Sequence, residues 1–343
     1  MERYLAGNMK TILYLLCACT LLLLCAPISS AQQSYSPAAD EFETTTTHND
    51  LPKRKKRSIF HRPEEDSPAK QLAFGEALEA KGRLGAARDE YNALVHHWHN
   101  APEAPIAQFR IARIRFGQGK YSKAFKAFQY LIEYYAGHFK YNEVLDYQFR
   151  IANHVIGDRW GDIFFLPGFE APERALPLLN QIIANAPNWE QVPHAYLTIG
   201  MIHEEIKDYE GAVAAYDSIA QFHRKSPEAE KAAFQRAACL CILSDKTPRD
   251  EKRCRTALSA LATFLARHKE SSQKADAETR LAALKLRLEN MYYERALFYD
   301  TRSNKPEAAL IAYRDFIKKF PMAENGDDVR ERIETLELQV AED

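Results

Sequence analysis

One internal repeat constrains the fold of this chain more than any other feature of its sequence. The five residues from Gln108 to Ala112 recur without change forty residues later, from Gln148 to Ala152. A looser copy spans Phe234–Ala238. Such internal repetition is typical of arrays of small helical units, because one unit cannot bury its apolar face alone and neighbours must stack. The sequence therefore predicts one long array and not two separate domains.

The residues around the first copy indicate which kind of repeat this is. Small, turn and aromatic residues follow one another in the order of a tetratricopeptide repeat: Ala112, Gly119, Tyr121, Ala124 and Phe128. An alanine on each helix lets two backbones approach, and the aromatic rings fill the space beside them. We therefore predict an all-α tetratricopeptide repeat solenoid of about five to six helical hairpins over residues 68–343.

The end of the chain predicts a capping helix. Its apolar residues fall on one helical stripe and most of the others are charged: Val329, Ile333, Leu336 and Val340. A terminal element with a polar outer face is what keeps such an array soluble.

Composition and motifs argue against several functions. Lys and Arg number 46 against 47 for Asp and Glu, so the formal net charge is −1 and no overall field favours nucleic acid. The sequence has no glycine-rich phosphate loop, no nucleophile elbow and no Cys-x-x-Cys pair. The histidines of residues 96–99 would point around a helix axis and not to one ion. We expect no enzyme activity, no cofactor and no metal.

The first 31 residues predict a secretory signal, with Met9 as an alternative start. An apolar run from Thr11 to Cys25 precedes the small residues Ser29 to Ala31. A membrane anchor is the alternative, but about fifteen apolar residues fall short of the roughly twenty that a spanning helix needs. Cys19 is the cysteine nearest to a lipoprotein attachment site, so lipidation would occur there.

Residues 32–67 predict a disordered linker. They contain a threonine run, three prolines and too few apolar residues to offset the entropy of ordering the chain. The basic block Lys53–Arg57 either attracts anionic lipid or wall polymer or serves as a plain solvated tether.

Two local features leave alternatives open. The turn of the third repeat is expanded over residues 158–172 by apolar residues that either pack onto the solenoid or meet a partner: Trp160, Phe164, Phe165 and Phe169. In the fifth repeat, Cys241 and Cys254 lie near facing helix ends. A disulfide between them would stabilise the fold by roughly 3 kcal/mol, whereas the alternative is buried free thiols, together with Cys239.

The repeat pattern also predicts a peptide-binding groove along the first helices of the repeats. The residues that flank the packed Ile-Ala pairs, together with one residue of the fourth repeat, form a mixed apolar and polar strip: Phe109, Arg113, Phe149, Asn153 and Leu197. Arg113 would clamp a carboxylate and Asn153 would bond a peptide backbone. The alternative is that Phe109 and Phe149 pack between consecutive repeats.

Several junctions resemble those of one known family. These are Ser226-Pro227-Glu228-Ala229, Phe320-Pro321 and a final repeat marked by Tyr292-Tyr293-Glu294. With the signal and the wide hairpins, they make the chain similar to the BamD family over residues 68–338. Members of that family are tetratricopeptide lipoproteins of the β-barrel assembly machinery in the bacterial outer membrane.

This resemblance implies a protein-binding scaffold in the periplasm or at the periplasmic face of the outer membrane. Its expected partners are other barrel-assembly subunits and unfolded outer-membrane proteins. Two alternatives stay open: a periplasmic scaffold for cell-envelope division or wall synthesis, and a module that holds a hydrolase or a polysaccharide factor.

Overall fold

The computed structural model describes residues 62–157, 159–160 and 169–342. Within these ranges the chain forms six helical hairpins followed by one further helix, as the repeat pattern predicts. The hairpins are α1 (Pro68–Ala80) with α2 (Leu84–His97), α3 (Glu103–Gly117) with α4 (Tyr121–Tyr134), α5 (Tyr141–Gly157) with α6 (Leu176–Asn185), α7 (Val192–Glu205) with α8 (Tyr209–Phe222), α9 (Ala229–Asp245) with α10 (Glu251–Arg267), and α11 (Lys274–Leu297) with α12 (Pro306–Lys319). The capping helix is α13 (Gly326–Glu342).

The first helix begins where the sequence places the start of the array. Ser67 caps α1 by accepting a hydrogen bond from the amide of Lys70, and Pro68 occupies the first helical position. Both residue types favour a helix start, since serine satisfies a free amide and proline has none to satisfy. The predicted signal, most of the predicted linker and Cys19 lie outside the described residues.

A left-handed residue ends the first helix of three hairpins at equivalent places. Gly82 has φ +72°, Gly119 has φ +69° and the non-glycine Lys207 has φ 64°. In each case the amide of the next residue bonds back to a carbonyl five residues earlier, as from Arg83 to Leu78. This turn reverses the chain within three residues and sets the second helix against the first.

The hairpins close on small residues of the first helix. A methyl group added to Gly75 would lie 2.4 Å from the ring of Tyr91, and one added to Gly200 would lie 2.3 Å from the ring of Tyr216. Both tyrosines are fully buried. In the second hairpin the corresponding pair is Ala112 with the fully buried Phe128. The large residue of the second helix therefore fills the space that the small residue leaves.

The expanded turn of the third hairpin contains the strands β1 (Arg159–Trp160) and β2 (Phe169–Glu170). They pair antiparallel, with Trp160 opposite Phe169. A short 3₁₀ helix, Pro172–Ala175, then leads into α6. Phe164 and Phe165 lie outside the described residues.

The sixth hairpin differs from the others in length. Its first helix, α11, spans 24 residues and continues into a π-helical turn, Phe298–Arg302. The motif at Tyr292 therefore lies in the last third of a helix that begins at Lys274. On the capping helix, Val329 and Leu336 are buried and Ile333 and Val340 are half-buried, so the predicted apolar stripe faces the array.

Candidate functional site

A stripe of side chains runs along the accessible face of α3. Ile106, Phe109, Arg113 and Phe116 are spaced three or four residues apart, which places them on one side of the helix. Ile106 and Arg113 are exposed, and the two phenylalanines are half-buried. The two rings thus contact the core on one side and remain accessible on the other.

Tyr147 of α5 joins this stripe to the next repeat. Its ring meets the edges of Phe109 and Phe116, with centroid distances of 6.0 and 5.3 Å. It also stacks on the buried ring of Phe128, with centroids 4.9 Å apart. Offset and edge-to-face contacts of this kind stabilise ring clusters beyond simple burial. The position of Tyr147 is therefore fixed by three rings.

Two arginines cover the ring cluster. The guanidinium carbon of Arg150 lies 4.8 Å from the ring centroid of Phe116 and 5.4 Å from that of Tyr147. The guanidinium of Arg113 lies 6.0 Å from the ring of Phe109. Both arginines are exposed, and neither has an ion-pair partner in the part of the chain that the structure describes. Their donor groups are held near the rings and face solvent.

His154 and Asn153 extend the surface at the end of α5. The imidazole of His154 stacks on Tyr121 at a centroid distance of 4.6 Å and meets Phe116 at 6.1 Å. Asn153 is exposed beside it. We call the whole cluster the aromatic–arginine surface: Phe109, Arg113, Phe116, Tyr121, Tyr147, Arg150, Asn153 and His154.

Two residues predicted to line the groove are core residues, so that part of the prediction is corrected. Phe149 is 9% exposed and meets the rings of Trp189 and His194 at 5.7 and 5.6 Å. Leu197 is 6% exposed and packs in a cluster with Tyr216. Both side chains point toward the following repeat, which covers them. Phe109, Arg113 and Asn153 stay at the surface.

The predicted groove did not include five members of this surface: Phe116, Tyr121, Tyr147, Arg150 and His154. A signal for them was present. Phe116 follows Phe109 by two helical turns, and His154 follows Tyr147 by the same interval. A seven-residue interval returns a side chain to the same helix face.

Of the two alternatives for the cysteines of the fifth hairpin, the structure has the free thiols: Cys239, Cys241 and Cys254 are buried and unlinked. The Sγ of Cys254 donates to the carbonyl oxygen of Leu284 at 3.5 Å, so this thiol faces the next repeat and not Cys241. Burial raises the pKa of Cys241 to about 11. These thiols therefore act as small core residues.

No group of three or more His, Cys, Asp or Glu side chains is placed to hold a metal ion among the described residues. No helix in the described ranges combines the length and the apolar character that crossing a bilayer requires.

Comparison with known families identifies two matches. A tetratricopeptide repeat model matches residues 72–138, and the model of the outer membrane lipoprotein family YfiO matches residues 173–336. The first covers the two opening hairpins, and the second covers the array from the 3₁₀ turn to the capping helix. No curated protein matches the chain.

Two of the solved structures to which the chain is similar are described as tetratricopeptide repeat proteins. One from Parabacteroides merdae is 15% identical, with 78% of this chain and 98% of that one covered and a TM-score of 0.30. A thermophilic tetratricopeptide protein from Thermus thermophilus is 17% identical, with 64% and 100% covered and a TM-score of 0.27. Likeness at this level carries no functional argument. The chain itself is an all-α tetratricopeptide repeat solenoid, a fold that serves as a scaffold for protein–protein interaction.

Proposed function

We propose that the chain is an exported, non-enzymatic scaffold at the periplasmic face of the outer membrane, with a BamD-like role in the assembly of β-barrel proteins. The observation that carries this proposal is the match of residues 173–336 to a family of outer membrane lipoproteins. The matched region includes the last three hairpins and the first part of the capping helix. A repeat array of this kind presents extended surfaces to protein ligands.

The aromatic–arginine surface is the proposed peptide site. Half-buried rings at Phe109, Phe116 and Tyr147 offer apolar area to the side chains of an extended peptide. Arg113 and Arg150 can each present two N–H donors to a carboxylate. The terminal strand of an outer-membrane barrel, ending in an aromatic residue and a free carboxylate, has the matching chemistry.

The exposed groups favour binding over a purely structural role. Phe109 and Phe116 would be expected at a packed interface between repeats in any case. Arg113 and Arg150 are not required for that packing, because their guanidinium groups are exposed and form no ion pair with described residues. A cation placed over a ring and facing solvent is available to an anionic ligand.

The direct test is peptide binding by three single variants. Arg113→Glu and Arg150→Glu should each weaken the binding of barrel C-terminal peptides by about tenfold, a loss typical of a charge-assisted contact. Arg249→Glu is the matched control, since Arg249 is exposed in the α9–α10 turn. The affinity of Arg249→Glu for these peptides should stay within about twofold of that of the unmodified chain. Equal affinity for all three variants and the unmodified chain would remove the peptide site.

The cellular role is tested separately by affinity purification from detergent-solubilised envelopes. Co-purification of barrel-assembly subunits supports the proposal. Co-purification of wall synthases, or of a sugar-active enzyme, without any barrel-assembly subunit contradicts it.

A further inference from the structure

A second surface lies between α8 and α10, which are the second helices of hairpins four and five, and α9 lies at its base. It consists of two cavities of about 820 and about 440 Å³. Both are lined by Lys252 and Thr256, so they adjoin. We call the two adjoining cavities together the outer groove. It is made by hairpins four and five and contains none of the residues of the aromatic–arginine surface.

The two ends of the outer groove differ in chemistry. The smaller cavity is lined by the apolar side chains of Val213, Leu240 and Leu243. The larger cavity is lined in part by small residues, among them Ala233 and Ala260. Apolar floors with a few polar groups at the rim are typical of sites that take a side chain from a ligand.

The larger cavity carries excess positive charge. Arg236 pairs with Asp217, and Arg255 pairs with Glu251 at 2.8 Å. Lys252 and Arg267 line the same cavity, are exposed and have no ion pair with any residue that the structure describes. The whole chain, by contrast, has a formal net charge of −1. This end of the outer groove is therefore a local cationic site on a nearly neutral protein.

The free cations lie at opposite ends of one helix wall. Lys252 is in the first turn of α10 and Arg267 is its last residue. A rise of 1.5 Å per residue separates their backbones by roughly 22 Å. Ser259 and Thr263 line the wall between them and offer hydroxyl groups. The wall is therefore long enough to contact about four helical turns of a ligand or about seven extended residues.

We propose that the outer groove docks a segment of a partner protein whose apolar side chains enter the cavity at Leu240 and whose acidic side chains meet Lys252 and Arg267. The charge excess selects acidic residues, and the order of the two cavities sets the direction of the segment. The groove lies between two helix walls, a shape that fits a polypeptide segment. This docking is independent of the proposed role in barrel assembly.

The test uses a designed probe and the purified full chain. The probe is a labelled peptide of about fifteen residues, with leucines in one half and glutamates in the other, so that about seven extended acidic residues span the wall from Lys252 to Arg267. Two matched peptides replace the glutamates by lysines or the leucines by serines. Fluorescence anisotropy should show binding of the first peptide at least about tenfold tighter than either control.

Charge reversal then locates the binding. Lys252→Glu combined with Arg267→Glu should reduce the affinity for the probe by about tenfold or more. In this double variant, higher salt should no longer reduce probe binding strongly. Lys126→Glu combined with Lys285→Glu makes the same change of charge at exposed positions outside the outer groove. The affinity of this control for the probe should stay within about twofold of that of the unmodified chain. Thermal melting of both double variants checks that they are folded.

Three outcomes overturn the proposal. The first is that the probe fails to bind or binds no better than its controls. The second is that both double variants lose affinity equally. The third is that phosphatidylglycerol vesicles bind through Lys252 and Arg267 while the probe does not, which would assign the surface to lipid.

Discussion

Tyr216 of α8 donates its hydroxyl hydrogen to the carboxylate of Glu204 on α7, and this bond joins the two helices of one hairpin. The same carboxylate accepts a hydrogen bond from Nε2 of Gln235 at 3.3 Å, and Gln235 belongs to the next hairpin. One carboxylate therefore holds a buried tyrosine in its own repeat and a polar side chain of the following repeat.

The arrangement recurs at both ends of the array. In the first hairpin, Tyr91 donates to Glu79 at 2.9 Å, and Arg110 of the second hairpin reaches the same carboxylate at 3.2 Å. The last instance joins the sixth hairpin to the capping helix through Tyr313, Asp300 and Arg332. Burial raises the pKa of Tyr91 and Tyr313, so both hydroxyls remain protonated donors at neutral pH.

Removing one of these hydroxyl groups should lower stability measurably. We predict that Tyr91→Phe reduces the free energy of unfolding by about 1.5 kcal/mol, because a hydrogen bond to a charged group is lost while the ring still fills its site. Tyr121→Phe is the control, since the Tyr121 ring stacks on His154 and its hydroxyl has no hydrogen bond described in the structure. Urea titration measures both. A loss of equal size in the control would show that the bond to Glu79 is not the cause.

The close approach at Gly200 gives a second prediction. Alanine is normally better than glycine in a helix by about 1 kcal/mol. At Gly200, however, the added methyl would overlap the ring of Tyr216, which is fully buried and cannot withdraw. We predict that Gly200→Ala destabilises the protein by about 1 to 3 kcal/mol.

Gly85 provides the matched control for this change. It also lies in a helix, but nothing is within 4 Å of an added methyl group. Gly85→Ala should leave the melting temperature unchanged or raise it slightly. If both alanine variants are stabilised, the packing of Tyr216 against Gly200 is looser than described.

The hairpins could be predicted from the sequence because the constraint is local. A small residue, a turn and an aromatic residue at fixed spacing define one hairpin, and Ala112, Gly119 and Phe128 occupy those places in the structure. The start of the sixth hairpin could not be read from the motif at Tyr292. That motif lies near the end of α11, not at its start. Residues 274–297 contain no glycine or proline, so no helix-breaking residue marks a boundary before the motif.

The aromatic–arginine surface was only partly predictable, because periodicity gives the face of a helix but not what covers it. Phe109 and Phe149 occupy the same place in the repeated pentad. Phe109 remains half-buried, whereas Trp189 and His194 cover Phe149. Trp189 belongs to the connection before the fourth hairpin, so its packing depends on tertiary structure and not on the pentad.

Glu251 should make stability depend on pH in the acid range. The Tyr292 hydroxyl donates to this carboxylate at 2.5 Å, and Arg255 and Arg295 lie beside it, which together lower the pKa of Glu251 to about 2. A lowered pKa means that the folded state favours the charged form. This stabilisation is complete above the ordinary pKa of 4.5 and is lost as the pH falls from there to about 2.

We therefore predict that Glu251→Gln is less stable than the unmodified chain at neutral pH and that the difference shrinks as the pH falls through this interval. Urea midpoints at a series of pH values measure the effect. Glu278→Gln, at an exposed position of α11, controls for the general effect of losing a negative charge. A difference for Glu251→Gln that is constant with pH would mean that the carboxylate charge is not responsible.

The three cysteines of the fifth hairpin should be unreactive until the protein unfolds. Burial raises the pKa of Cys239 to about 12 and that of Cys241 to about 11, so almost no thiolate is present at neutral pH. We predict that iodoacetamide modifies none of these residues in the native protein and all of them, Cys254 included, after unfolding in urea without reductant. Peptide mass mapping reads the result. Unmodified Cys241 and Cys254 after unfolding would indicate the disulfide that the structure lacks.

The proposed carboxylate contact of Arg113 can be isolated by changing ligand and protein together. Amidation removes the terminal charge of a peptide and keeps its side chains, so the unmodified chain should bind the amide about tenfold more weakly than the free acid. In Arg113→Glu that difference should disappear or reverse, because the carboxylate has lost its guanidinium partner.

Arg150→Glu supplies the comparison that makes this test specific. Arg150 lies over Phe116 and Tyr147, whereas Arg113 lies over Phe109, so only one of the two arginines should be closest to the peptide terminus. We expect that arginine to be Arg113, so Arg150→Glu should reduce affinity for both peptides alike. Loss of the free-acid preference in Arg150→Glu but not in Arg113→Glu would show that the contact is assigned to the wrong arginine. All three proteins should unfold within about 0.5 kcal/mol of one another, as expected for exposed positions. If the free acid and the amide bind the unmodified chain equally, the surface does not recognise a terminal carboxylate.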